Sequence, residues 1–277
     1  MRRTALALAL TMVAGSAFAQ FGDLLKKLDP SKIAKTAKVA HEATRDFTEG
    51  EEADIGRVVA ARILATYRLA TNEKEQKYVT LVGNTLAAYS ARPTLEWHFA
   101  VIKTPIVNAF STPGGFIFVT SGALAEMQNE AELAAVLAHE IGHVTQKHIL
   151  KEVKRGNVLS AGVDLAQSTA SGGQWLNDDM GRKIGEIAYN KLFTTGLSRR
   201  DEDESDSIAV ELTEAAGYRP GEYIRFLENL EKLEGTSAMK TLTATHPSPA
   251  SRIATIKPLI KQEQGEILAK RFDTWVK

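Results

Sequence analysis

Two imidazoles and a carboxylate stand within five residues of one another in His139-Glu140-Ile141-Gly142-His143. In an α-helix, residues four apart share a face at about 5–6 Å, so His139 and His143 can both reach a single ion. Glu140 is rotated by about 100° from His139, too far round to join as a neighbouring ligand but well placed to touch a water on that ion. The chemistry this pattern offers is metal-assisted hydrolysis.

A helix must present these groups, and the sequence supplies one. Asn129-Glu130-Ala131-Glu132 places an acid three positions after a capping residue, which announces a helix start. Leu133, Val136, Leu137, Ile141 and Val144 give it an apolar side, while Ala131, Ala134, Ala135 and Ala138 permit close packing, so it belongs in the core. Gly142 costs about 1 kcal/mol relative to Ala inside a helix. That cost predicts a close approach there, for which a second metal-bearing element would be a sufficient reason.

The chain has 277 residues, 44% hydrophobic and 25% charged, enough material for one sizeable core. Lys+Arg and Asp+Glu are both 34, so no global basic field gathers nucleic acid, and no nucleic-acid partner is expected. The absence of cysteine removes disulfides and thiolate ligands together, leaving His and carboxylate to hold any metal. Residues 1–19 read as a signal peptide, with Arg2 and Arg3, an apolar stretch from Ala5 to Val13, and Ala17-Phe18-Ala19 as the cleavage site. The expected location is therefore periplasmic or secreted, and no Cys follows Ala19 to carry a lipid.

Residues 20–277 read as a single α+β domain, mostly helical. Over 20–91 the spacing predicts helices at 24–47, 51–70 and 72–89. The first is amphipathic and basic at Lys26, Lys27, Lys32, Lys35 and Lys38, a solvated face that would also allow peripheral membrane contact. Over 92–125, alternation at 95–101, 106–110 and 116–120 predicts a small sheet of three to four strands, with His98 as a structural residue. Over 126–277 come the motif helix, a break at 168–174, helices at 178–192, 198–216 and 221–233, a polar loop at 235–246 and a helix at 249–261.

A catalytic zinc typically takes three protein ligands, so a third must be found. On a continuing helix His148 has turned about 140° from the ligand face, and it is expected to be structural or exposed. His41, His98, His246 and the carboxylates remain. The strongest carboxylate candidate lies in the run from Ser198 to Asp206, where Ser198 and Asp201 make a capping-box start. Glu202 and Asp206 share a face, so one can bind metal while the other hydrogen-bonds a ligand imidazole. An EF-hand fails, because the sixth position counted from Asp201 is Asp206 and the twelfth is Leu212.

From about Asp54 to Ile256 the chain resembles the HtpX-like and CAAX-prenyl-protease-like zinc metallopeptidases, a gluzincin family, in its soluble periplasmic branch. The resemblance rests on four ordered motifs. They are Asn108-Ala109-Phe110 with Pro113-Gly114-Gly115 through Val119, Glu132-Leu133 through His143, Ser198-Arg199 through Glu202 and Asp206, and Thr245-His246-Pro247 with Arg252-Ile253.

The resemblance implies a zincin-type core with a small antiparallel or mixed sheet beside the motif helix. One Zn2+ would be held by His139, His143 and Glu202, with Asp206 behind a ligand and Glu140 as general base. It implies that Asn108 to Val119 forms an edge strand along which an extended substrate lies, with Asn108, Ala109, Phe110 and Gly115 as the binding positions. His246 is implied either to stabilise the transition state or to occupy the open position on zinc, and Arg252 is expected to order its loop by pairing with a site carboxylate. Ser205 departs from the pattern, which usually has Ala there. The implied activity is hydrolysis of peptide bonds in unfolded or misassembled exported proteins, with envelope assembly machinery as a partner. The rival reading is a periplasmic chaperone or assembly factor whose zinc site is gated and chiefly structural.

Overall fold

The computed structural model describes residues 46–158 and 179–276. The expected signal peptide, nearly all of the basic helix with His41, and the break at 168–174 lie outside them. Helix α1 (Glu49–Thr66) starts at a capping box, in which Thr48 accepts from the Glu51 N–H and the Glu51 carboxylate accepts from the Thr48 N–H at 2.8 Å. It buries Ile55, Val59 and Ile63 and stops short of the expected residue 70, because the chain turns extended at Tyr67 and Leu69 bridges to Ile102. Helix α2 (Glu73–Ala88) is capped by Asn72 and buries Val79, Val82 and Leu86.

Three strands follow, β1 (His98–Ile102), β2 (Ala109–Thr112) and β3 (Phe116–Thr120). Their order is β1-β3-β2, with β1 parallel and β2 antiparallel to β3, the small mixed sheet that the resemblance implies. Strand β2 is therefore an edge. Between β2 and β3 the chain makes a tight turn, Pro113–Gly115, with Gly114 at φ 74°. The buried Glu52 of α1 pins that turn, its Oε1 accepting from the Gly114 N–H at 3.2 Å and from Arg92 at 2.7 Å.

Because successive strand residues face opposite ways, the sheet divides two apolar clusters. Val101, Ile117 and Val119 face one, with Val82 and Leu86 of α2. Ile102, Phe110 and Phe118 face the other, with Ile55 and Ile63 of α1. After α3 (Ser121–Glu126), helix α4 (Glu130–Thr145) runs through the first cluster, buried along almost its whole length. Helices α5 (His148–Val158) and α6 (Asp179–Asn190) belong to the second side, and α6 ends in a π-helical turn, Lys191–Thr195.

The remaining helices are α7 (Arg199–Ala215), α8 (Gly221–Glu231), α9 (Lys240–Thr245), α10 (Pro249–Ile256) and α11 (Ala269–Val276). The expected polar loop at 235–246 is a 3₁₀ turn, Ser237–Met239, running into α9. Its helical character was hidden because the polar surface comes from threonines whose hydroxyls bond the preceding turn, Thr243 to the Met239 carbonyl at 2.6 Å and Thr245 to that of Thr241 at 2.9 Å. Among the described residues no helix is long and apolar enough to cross a membrane.

Candidate metal centre

Helix α4 carries the motif. Asn129 caps it by accepting from the Glu132 N–H at 3.0 Å, and two turns later His139, Glu140 and His143 sit in its buried stretch. Helix α7 crosses α4 at Gly142, where an added Cβ would lie 3.1 Å from the Ser205 Cα. The close approach expected from Gly142 is thus the approach of the Glu202 helix. Ser198 and Asp201 start α7 as the expected capping box, and Glu202 faces α4.

The Nε2 atoms of His139 and His143 are 3.0 Å apart. Glu202 Oε1 lies 3.5 Å from His143 Nε2, and Oε2 lies 3.7 Å from His139 Nε2. Donor atoms roughly 2 Å from one tetrahedral ion stand ~3.3 Å apart, so these three groups fit zinc. Glu202 Oε1 is buried and accepts no hydrogen bond, an orphaned acceptor of the kind a cation satisfies. His246 joins them, its Nδ1 at 2.7 Å from Glu202 Oε2, and donor atoms of all four residues lie within 4.8 Å of one another.

Electrostatics follow from burial and pairing. Burial alone pushes the Glu202 carboxyl up, but His246, His143 and His139 outweigh it and hold it well below the usual range. Burial holds His143 well below an ordinary imidazole. It also disfavours charge on His246, yet the Glu202 carboxylate overcomes it and raises that group.

Behind these groups, Asp206 Oδ1 lies 2.8 Å from His139 Nδ1. Arg252 grips the same carboxylate with two donors, Nε to Oδ2 at 3.1 Å and Nη2 to Oδ1 at 2.6 Å. The Tyr223 hydroxyl donates to Oδ1 at 2.8 Å and also contacts Arg252. Burial would raise Asp206, but Arg252 and His139 hold it well below the usual range.

Two groups were missed in the sequence. Tyr223 sits at an ordinary core position of an amphipathic helix, with nothing in its spacing to mark it. His148, expected to be structural or exposed and turned away, is fully buried with its Nδ1 2.8 Å from His143 Nδ1. A rotation of about 140° from the ligand face holds only on a continuing helix. Instead α4 ends at Thr145, Lys147 takes a left-handed φ of 56°, and a new helix begins at His148.

Substrate positions divide. A cleft of about 370 Å³ lined by Val107, Asn108, Ala109, Val136, Phe226 and Leu242 meets Glu140 and His246. A second cleft of about 300 Å³ shares Ala109, Glu140 and His246 with the first and is also lined by Phe110 and Ser111. Asn108 is buried with its Nδ2 unpartnered. Gly115 is not brought to either cleft, lying in the turn where an added Cβ would meet the Glu96 carbonyl at 2.7 Å. All four β2 residues are buried, and Phe110 stacks on Phe193 of the π turn at 4.3 Å.

A paired-histidine helix crossed by a carboxylate helix, beside a small mixed sheet, defines a zincin-like core. The chain belongs to Peptidase family M48, whose pattern matches residues 73–260. It is 25% identical over 236 residues to the beta-barrel assembly-enhancing protease of Escherichia coli K12, covering 82% of this chain and 47% of that one. It is 30% identical over 204 residues to the mitochondrial metalloendopeptidase OMA1 of Schizosaccharomyces pombe, covering 73% and 57%. With the metalloprotease LoiP of E. coli it shares 29% over 188 residues, covering 67% and 71%. The chain thus spans about half the length of the first two of these relatives.

Proposed function

We propose that residues 20–277 form a single zinc-dependent metalloendopeptidase domain that hydrolyses unfolded or misassembled exported proteins. The observation that carries this reading is the pair of clefts that share Ala109 of strand β2, Glu140 and His246, with the His139, His143 and Glu202 donors beside them. His139, His143 and Glu202 would hold the zinc, which when bound acts as a Lewis acid and makes water acidic enough to supply a nucleophile at neutral pH. Glu140 takes the proton from the attacking water and passes it to the leaving nitrogen. Backbone groups of β2 hold an extended peptide with little demand on its sequence, and the unpartnered Asn108 Nδ2 is a free donor for a peptide carbonyl. The kinship with a protein named for assisting β-barrel assembly supports an exported location and envelope assembly machinery as a partner.

Glu140→Gln tests the reading. The wild-type protein should cleave an unfolded casein-like substrate in a chelator-sensitive way, and the variant should retain zinc while losing about 10²–10⁴-fold in rate. Equal cleavage by both proteins overturns hydrolysis at this site.

A second reading is favoured by the burial of β2 and by His246 standing among the donors. Here His246 closes the site at rest, and the protein serves chiefly as an assembly factor. Anomalous scattering at the zinc edge separates the two, since a water as fourth ligand supports the open enzyme and His246 the gated form.

A further inference from the structure

His148 Nδ1 faces His143 Nδ1 at 2.8 Å, and the rings meet nearly edge on, 73° apart in plane. Its other nitrogen, Nε2, faces two carboxylates on the first turns of α7, Glu204 Oε2 at 3.2 Å and Asp201 Oδ1 at 3.6 Å. The Ser205 hydroxyl stands 3.5 Å from His148 Nδ1.

Counting protons decides what this contact does. A histidine that binds a metal through Nε2 is neutral and keeps its proton on Nδ1. The His143 proton then points at His148 Nδ1, which must accept it with a lone pair. Neutral His148 in turn carries its own proton on Nε2, where Glu204 and Asp201 are placed to receive it. Every polar atom is satisfied by this one arrangement. In the opposite one, His148 Nδ1 donates and the His143 proton moves to Nε2, between His139 and Glu202, where it blocks the metal.

The same count removes a competing use of the cluster. His148, Asp201 and Glu204 have the composition of a second cation site, but a cation on His148 Nε2 would force the blocking arrangement onto His143. The two sites cannot be filled together.

We infer that His148 is a positioning residue for the metal centre: it accepts the Nδ1 proton of His143, relays its own to Glu204 and Asp201, and so aims the His143 Nε2 lone pair at zinc. His139 has the matching support from Asp206, a carboxylate directly where His143 has an imidazole backed by two. This inference rests on the metal reading above.

The test uses the full chain. In the zinc-loaded protein with ¹⁵N-labelled histidine, two-bond ¹⁵N–¹H correlations should show His148 as the Nε2–H tautomer, and an Nδ1–H tautomer overturns the inference. In competition with a chromophoric chelator, His148→Leu should bind zinc 10–100-fold more weakly, the usual cost of losing a ligand's hydrogen-bond partner. His148→Asn, whose Oδ1 can take the place of the accepting Nδ1, should recover to within roughly threefold of wild type. Equal affinity in the Leu variant, or equal losses in Leu and Asn, overturns the positioning role while leaving the metal reading intact. Failure of the wild-type chain itself to bind zinc overturns the metal reading and this inference with it.

Discussion

Arg252 shows how much of the site rests on a single side chain. Its guanidinium closes two hydrogen bonds on Asp206 and touches the Tyr223 hydroxyl, all in buried surroundings. Lysine keeps the charge but not the planar fork, so Arg252→Lys leaves at least one Asp206 contact unmade. A hydrogen bond to a charged group contributes about 1.5–3 kcal/mol, and the variant should be destabilised by roughly that amount in urea titrations of the metal-free protein. An unchanged midpoint would show that Asp206 needs only the charge. At this scale the sequence was informative wherever chemistry imposed a spacing. Glu202 and Asp206 share a helix face whatever the fold around them, and Arg252 follows His246 in a recognisable motif. Tyr223 is spaced like any core residue of its helix, and His148 is brought in by a turn that tertiary contacts decide.

The crossing of α4 and α7 sets the distance between the histidine pair and its carboxylate. Alanine at Gly142 would gain about 1 kcal/mol in helix propensity, while overpacking a tight contact costs about 1–3 kcal/mol. The neighbour here is the Ser205 Cα, backbone that cannot rotate away, so the second effect wins. Gly142→Ala should lower both stability and zinc affinity by pushing α7 outward, as read by urea unfolding and chelator competition. A more stable variant with unchanged affinity would contradict this. The start of α7 was legible from Ser198 and Asp201, since a capping box is a local device. The reversal between α4 and α5 was not. Gln146-Lys147-His148 contains neither Gly nor Pro, and Lys147 is held in its left-handed conformation beside Glu52, an ion pair at 3.2 Å across 95 residues that no sequence window contains.

Across the whole molecule, the start of α4 is tied to distant parts of the chain through Glu130. This fully buried carboxylate accepts from Tyr218 at 2.7 Å and pairs with Tyr78 and Arg271. Burial pushes its pKa up, but Arg271 and the two tyrosines prevail and hold it below the usual range. A carboxyl whose folded pKa is depressed contributes stability that is present above its unfolded value, about 4.3, and lost as pH falls through the folded value. Glu130→Gln should therefore flatten the acid limb of the stability curve, seen as a smaller fall in urea midpoint between pH 6 and pH 3. An acid limb as steep as that of the wild type would assign the loss to other carboxylates. The pairing also has an order in time. Synthesis proceeds from the N-terminus, so Glu130 exists for 141 residues of chain growth before its guanidinium does, and burying it alone would cost about 3–5 kcal/mol. Helix α4 is thus completed only by a residue made 141 positions after Glu130, and a chain stalled between Glu130 and Arg271 should expose α4 to protease.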